Sequence, residues 1–262
     1  MADYTFAHFI PEFAHHEHEG WTELFGIPLQ PIMNPNGAVT LTHVVFGAFA
    51  FLIVIALAVI ARQKYRNHDT ALIPEDRLSV RNFIEVVFDA VYDMMEGMLG
   101  EKLTKRYFPL IAALALWVLI QNLMGLVPGM APATSNLNTT MGPAIVVFLI
   151  YNFAGINEHG LVAHVKHLAG PVWWLAWLIF PIEVVSHLAR PVSLGIRLTG
   201  NMTGDHMVLG VFGGIAEQVA GVPLLLPIPF LFLGLLVCII QTLVFCLLST
   251  VYLSLATAHE EH

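Results

Sequence analysis

Arg197 stands in the middle of a long apolar run, within SHLARPVSLGIRLTGNMT at 186–203, and a guanidinium there stays charged at any accessible pH. At mid-bilayer depth such a charge costs about 2.5–3.5 kcal/mol on insertion scales, so the residue calls for a use. Helical spacing of about 100° per residue puts Ser193, Arg197 and Asn201 on one face, with Gly195, Gly200 and Gly204 close enough to let another helix approach. A buried Arg can simply neutralise a carboxylate of its own bundle; the alternative is an ion pathway, the default reading of an intramembrane charge.

The residues around it sort by height and angle. Glu183 lies 14 residues before Arg197, about 21 Å along a straight helix and about 40° off its face, and His187 lies ten before at about 80°. Asp205 and His206 follow eight and nine residues on, about 12–13 Å toward the other side, and Glu217 lies farther still. His206 points about 180° from Arg197 and is expected to face its own bundle. Ionisable groups, then a fixed cation, then ionisable groups again describe two half-paths for a proton with a barrier between them. A partner carboxylate that had lost its proton to one half would be drawn to Arg197 and would move on only after reprotonation from the other. A permanent tight pair would stall it.

The elements that must hold these residues are membrane spans. The chain has 262 residues, 57% hydrophobic and 11% charged, far from the roughly quarter charged that soluble domains carry. Its fold class is therefore all-α polytopic membrane protein. About five embedded helices are expected, the last two long and tilted or bent, with an amphipathic helix at the inner surface. Residues 1–40 form an external segment with five carboxylates and the cluster His8, His15, His16 and His18, read as a solvated tail and not a metal site. Residues 41–106 hold the first span, 41–61, and a loop whose stretch 77–99 alternates as an amphipathic helix on or in the inner surface.

Eight of the eleven basic residues fall between Arg62 and Arg106, which orients that loop to the cytoplasm and the N-terminus outward. Residues 107–170 carry a pair of spans, the first at 108–127 with Gln121 and Asn122 near its far end, the second at 142–156, short for a full span, or at 139–157 with tilt, and an inner loop from 157. Residues 171–262 form a long helical hairpin bearing the translocating face. Its first run of about 45 apolar residues is twice a perpendicular span, and Pro181 and Pro191 are expected to bend it. The prolines around 222–229 mark the turn before a last apolar segment, 230–256, and counting crossings puts the C-terminus inside. Cys238 and Cys246, eight residues apart on that segment, lie about 12 Å apart along the axis, too far for a bridge, and read as packing residues.

RPVSLGIRLTGNM at 190–202 closely resembles the signature of subunit a, the stator channel subunit of F-type ATP synthases. The resemblance continues through IIQTLVFCLLSTVYLSLA at 239–256, and more weakly through QNLMGLVPG at 121–129 and PATSNLNTT at 132–140, covering roughly 107–256. It implies a subunit that is no enzyme by itself. Its partners would be a rotating c-ring whose hairpins each carry an essential carboxyl, and b-type peripheral stalk subunits, in the lipid of a bacterial inner membrane. Protons driven through it would turn the ring and couple the proton-motive force to ATP synthesis, or hydrolysis to pumping.

The resemblance further implies that Arg197 is the essential Arg, that Asn201 and Gln241 are motif polar positions, with Gln241 helping to hold the Arg side chain, and that Glu183 is an inner-side carboxylate. One place departs. Many members carry Glu nine residues after the Arg and His seven before the Gln, or the two exchanged; here His206 occupies the first position and Gly234 the second. The acid of that pair is missing, and Asp205 or Glu217 is the expected replacement.

A sodium-translocating version of the same subunit remains an alternative, since the ring's carboxyl site largely sets ion choice. A histidine-box metalloenzyme is a distant one: the 13 His lack box spacing and fall on opposite sides. A free-standing transporter would need the repeats of that class, which are not evident. No cofactor, no metal and no nucleic acid is expected, the last because the net charge is −8.

Overall fold

The computed structural model describes residues 42–65, 79–127, 130, 132–160, 174, 176–220 and 228–258. The external segment 1–40 with its histidines, most of the loops at 66–78 and 161–173, and the turn at 221–227 lie outside them. Helices α1 (Thr42–Tyr65), α2 (Val80–Met124), α3 (Leu137–His159), α4 (Ala176–Ala220) and α5 (Ile228–Thr257), with a 3-10 turn at Ala133–Ser135, make up the fold. All five are long and apolar enough to cross a membrane, and the described residues contain no strand.

The element α2 is two helical arms. Gly100 has φ 74° and ψ 165°, a backbone that an L side chain adopts only with strain, and it breaks the helix. On a straight helix Tyr92 and Phe108 would stand about 24 Å apart. Their ring centroids are instead 5.3 Å apart, and Phe88 meets Phe108 at 5.8 Å, so the arms fold against each other. The first arm is the amphipathic helix expected from the sequence. Ser79 caps it through Oγ, which accepts from the Asn82 amide at 3.3 Å. Its apolar stripe of Ile84, Val91 and Met95 is buried, and Val91 and Met95 join the main core. Phe83 and Val86 remain 40% and 68% exposed on another side of the same arm.

The main core draws Ile111, Ala115 and Val118 from the second arm of α2, Ala144, Val147, Tyr151 and Ala154 from α3, Leu194 and Leu198 from α4, and Phe245, Cys246 and Leu253 from α5. The broadest packing is α5 on α2 and α4 on α3, with α5 also touching α3 and α4. A smaller cluster of Phe46, Ala50, Met124 and Ala133 seats α1 against the far end of α2. Cys238 and Cys246 are buried and free, as packing residues should be.

One helix limit changes: the span expected over 142–156, or 139–157 with tilt, begins at Leu137, because Asn136 caps it by accepting from the Asn138 amide at 3.0 Å. The 45-residue helix α4 runs unbroken through Pro181 and Pro191. A proline forfeits one backbone bond, but inside a membrane the alternative to helix is an unsatisfied backbone in hydrocarbon, and the helix persists.

Candidate functional site

The side chain at 197 points outward because of what its helix buries. Leu194, Leu198 and Met202 are at most 2% exposed and form, with Pro191, the face of α4 that packs on the bundle. Ser193, Arg197 and Gly200 are exposed, on sides turned away from it, and Asn201, also exposed, stands at its edge toward α5. A side chain added at Gly195 would strike Met141 Sδ at 2.7 Å, so that glycine brings α3 close, whereas a Cβ at Gly200 would meet nothing within 4 Å. Thr140 and Thr199 hydroxyls share a 2.7 Å hydrogen bond that pins α3 to α4 just behind the exposed face. Among the described residues Arg197 has no hydrogen bond and no ion pair.

One turn farther along, Asn201 Nδ2 donates to Gln241 Oε1 at 2.5 Å, joining α4 to α5. Gln241 is 3% exposed. Its Oε1 thus accepts from Asn201, one turn from Arg197. It holds the helix that carries Arg197, and among the described residues it does not hold Arg197 itself.

Toward the start of α4, Glu183 Oε1 lies 3.5 Å from His187 Nε2. The Tyr151 hydroxyl, reaching in from α3, is 3.3 Å from His187 Nδ1 and 3.4 Å from the His187 backbone oxygen. The Arg190 guanidinium lies over the rings of Tyr151 and Tyr252, at 5.7 and 5.4 Å from their centroids. Arg190, Tyr151 and Tyr252 were not singled out from the sequence. Arg190 stands seven residues, about two turns, before Arg197 and so on nearly the same face, a signal that was available; the tyrosines come from other helices, where spacing along one helix carries no information.

On the other side of Arg197, Asp205 is packed over Gly234. A Cβ at 234 would stand 2.7 Å from Asp205 Oδ2, 3.2 Å from Oδ1 and 2.8 Å from Leu126 Cδ2, so the carboxylate occupies the room a side chain there would need. His206 faces the bundle, with Nε2 3.0 Å from where a Cβ on Gly125 would lie, beside Pro132. Asn122, 1% exposed, accepts at Oδ1 from the Thr134 hydroxyl at 3.0 Å. Its Nδ2 and both amide atoms of its neighbour Gln121 are buried without a protein partner among the described residues. Buried polar groups of this kind are ordinarily satisfied by water. Glu217 belongs to α4, but its side chain is outside the described residues.

Residues 44–254 match the protein family described as ATP synthase A chain. The chain belongs to that family. Proteins named ATP synthase subunit a are similar over most of their length: that of Sorangium cellulosum is 44% identical over 222 residues, 84% of each chain. Those of Bdellovibrio bacteriovorus and Geobacter sulfurreducens are 42% and 44% identical, over 83% and 81% of this chain and 92% and 88% of theirs. Family membership makes the chain a multi-pass membrane-sector subunit of an ATP synthase complex, concerned with ion transport.

Proposed function

We propose that the chain conducts protons through two offset half-paths to a rotating ring of carboxyl-bearing helical hairpins, with Arg197 as the gate between them. The observation that carries this reading is Arg197 itself, a cation at mid-span on an exposed face with no partner among the described residues. Inside one chain, such a charge in hydrocarbon is left uncompensated. A carboxylate arriving from a neighbouring rotor would compensate it for part of each cycle, and the open space over Gly200 supports a close approach there.

Glu183 and His187 serve the inner half-path. On the outer side His206 and Asp205 take the place of the pair that Gly234 leaves incomplete, and the amides of Gln121 and Asn122 hold water leading to them. Ser193 lines the exposed face beside Arg197. His187 and His206 favour protons over sodium, since an imidazole carries a proton and a sodium ion is held by oxygen ligands. One proton at 100 mV brings about 2.3 kcal/mol, so useful work requires several in sequence, which a ring adds up. The basic loop after α1 supports an N-terminus outside and a C-terminus inside the bacterial inner membrane, where b-type stalk subunits would hold the chain against the ring's torque.

The test is Arg197→Ala in the assembled complex. Loss of ATP-driven proton pumping with the subunit still incorporated is expected; pumping at the parent rate refutes the gate. Pumping by the parent complex that is indifferent to sodium and collapsed by a protonophore is expected for protons.

A further inference from the structure

Glu183, His187 and Arg190 lie at i, i+4 and i+7 on α4, one stripe that continues to Arg197. Only the first two belong to the proton path proposed above. The third is a second cation, about 10 Å short of the gate on a straight helix, and a proton lane has no evident use for it. What holds it there is specific. Its guanidinium sits between Tyr151 of α3 and Tyr252 of α5, whose ring centroids are 6.0 Å apart and inclined at 51°, and both rings lie within cation–π range of it. Tyr151 is 1% exposed, so this hydroxyl lies deep in the bundle and has to be satisfied there.

The Tyr151 hydroxyl lies against His187 Nδ1 and the His187 backbone oxygen, with the Asn152 amide and the Arg190 guanidinium also in hydrogen-bonding contact with it, and its single O–H can donate to one acceptor at a time. With His187 neutral and Nε2–H toward Glu183, Nδ1 is an acceptor and takes the hydroxyl hydrogen. When the ring gains a proton, Nδ1 becomes a donor; it then donates to the phenol oxygen, and the hydroxyl turns to the backbone carbonyl. One proton enters the ring, one hydrogen bond turns, and Nε2 keeps its aim at Glu183 in both states.

We propose that Tyr151 is a positioning residue of the inner proton path, holding His187 against Glu183 in both of its charge states while its ring and that of Tyr252 seat Arg190 beside the pair. Arg190 is thereby held as a fixed cation on the same stripe of α4 as the pair. The titratable and charged side chains around His187 include Glu183 and Arg190 from α4 itself, Tyr151 from α3 and, behind it, Tyr252 from α5.

This inference rests on the proposed gate, and one experiment separates the two. The whole complex is reconstituted in liposomes, and proton flux is measured while the pH on each side is varied independently. Tyr151→Phe keeps the ring under Arg190 and removes the hydroxyl; flux should fall about three- to tenfold, the worth of one neutral hydrogen bond. Its inner-side pH profile should be displaced and its outer-side profile unchanged. In a His187→Ala background the same change should have no further effect, because Tyr151 then has nothing to position.

Arg190→Gln, which removes the cation seated between the two rings, should displace the inner profile and leave the outer one unchanged. Parent behaviour in Tyr151→Phe, or an equal loss with and without His187, overturns the inference. If the Arg197→Ala complex pumps, it is the gate that fails.

Discussion

The room above Gly234 makes a quantitative test possible. A methyl group placed there would stand 2.7 Å from Asp205 Oδ2 and 2.8 Å from Leu126 Cδ2, against an ordinary contact of about 3.5–4.0 Å. The carboxylate would have to withdraw by close to an ångström. Forcing a methylene into a packed site costs about 1–3 kcal/mol, and about 1 Å of misplacement in a reacting group can cost a hundredfold in rate. Gly234→Ala is therefore expected to slow outer-side proton uptake by about tenfold to a hundredfold, with assembly retained.

If the loss arises because the acid is displaced, the acid can be supplied from the other helix. Asp205→Gly should be as slow as Gly234→Ala, and Asp205→Gly combined with Gly234→Asp should be several-fold faster than either. The assay is acid–base-driven ATP synthesis by the reconstituted complex, with outer pH varied at constant inner pH. Gly234→Ala at the parent rate, or a double variant no better than Asp205→Gly, would refute the idea that one site is filled from either side.

Asp205→Asn is expected to reduce outer-side flux more than Glu217→Gln; the opposite order in the same assay would move the outer acid to Glu217. His206→Ala should slow uptake from the outer side and leave the inner-side pH profile in place. Gln241→Leu removes the acceptor that Asn201 uses, and should lower pumping through a loosened α4–α5 seam while costing about 0.5–1.5 kcal/mol in thermal unfolding of the purified subunit complex. Gly100→Val puts a β-branched side chain at φ 74° and should cost about 1–3 kcal/mol, read as a lower unfolding midpoint; an unchanged midpoint would mean that the break between the arms of α2 can relax.

Much of the architecture was legible along the chain because hydropathy and helical spacing are properties of consecutive residues. The spans at 41–61, 108–127 and 230–256, the amphipathic stretch between the first two and the shared face of Ser193, Arg197 and Asn201 follow from that alone. The start of α3 did not, since the cap at Asn136 sets it.

The candidate site divides the same way. Arg197, Asn201 and Glu183 belong to one helix and could be ranked by angle. That Asp205 lies over the glycine at 234 depended on how α4 packs on α5; the Glu217 side chain is outside the described residues. That Gln241 meets Asn201, and that Tyr151 and Tyr252 close around Arg190, are meetings between helices far apart in sequence. A single sequence constrains the angle and height of each residue on its own helix; the rotation and offset of one helix against another come from the packing of Leu194, Leu198, Phe245 and their neighbours, and so only the folded bundle decided them.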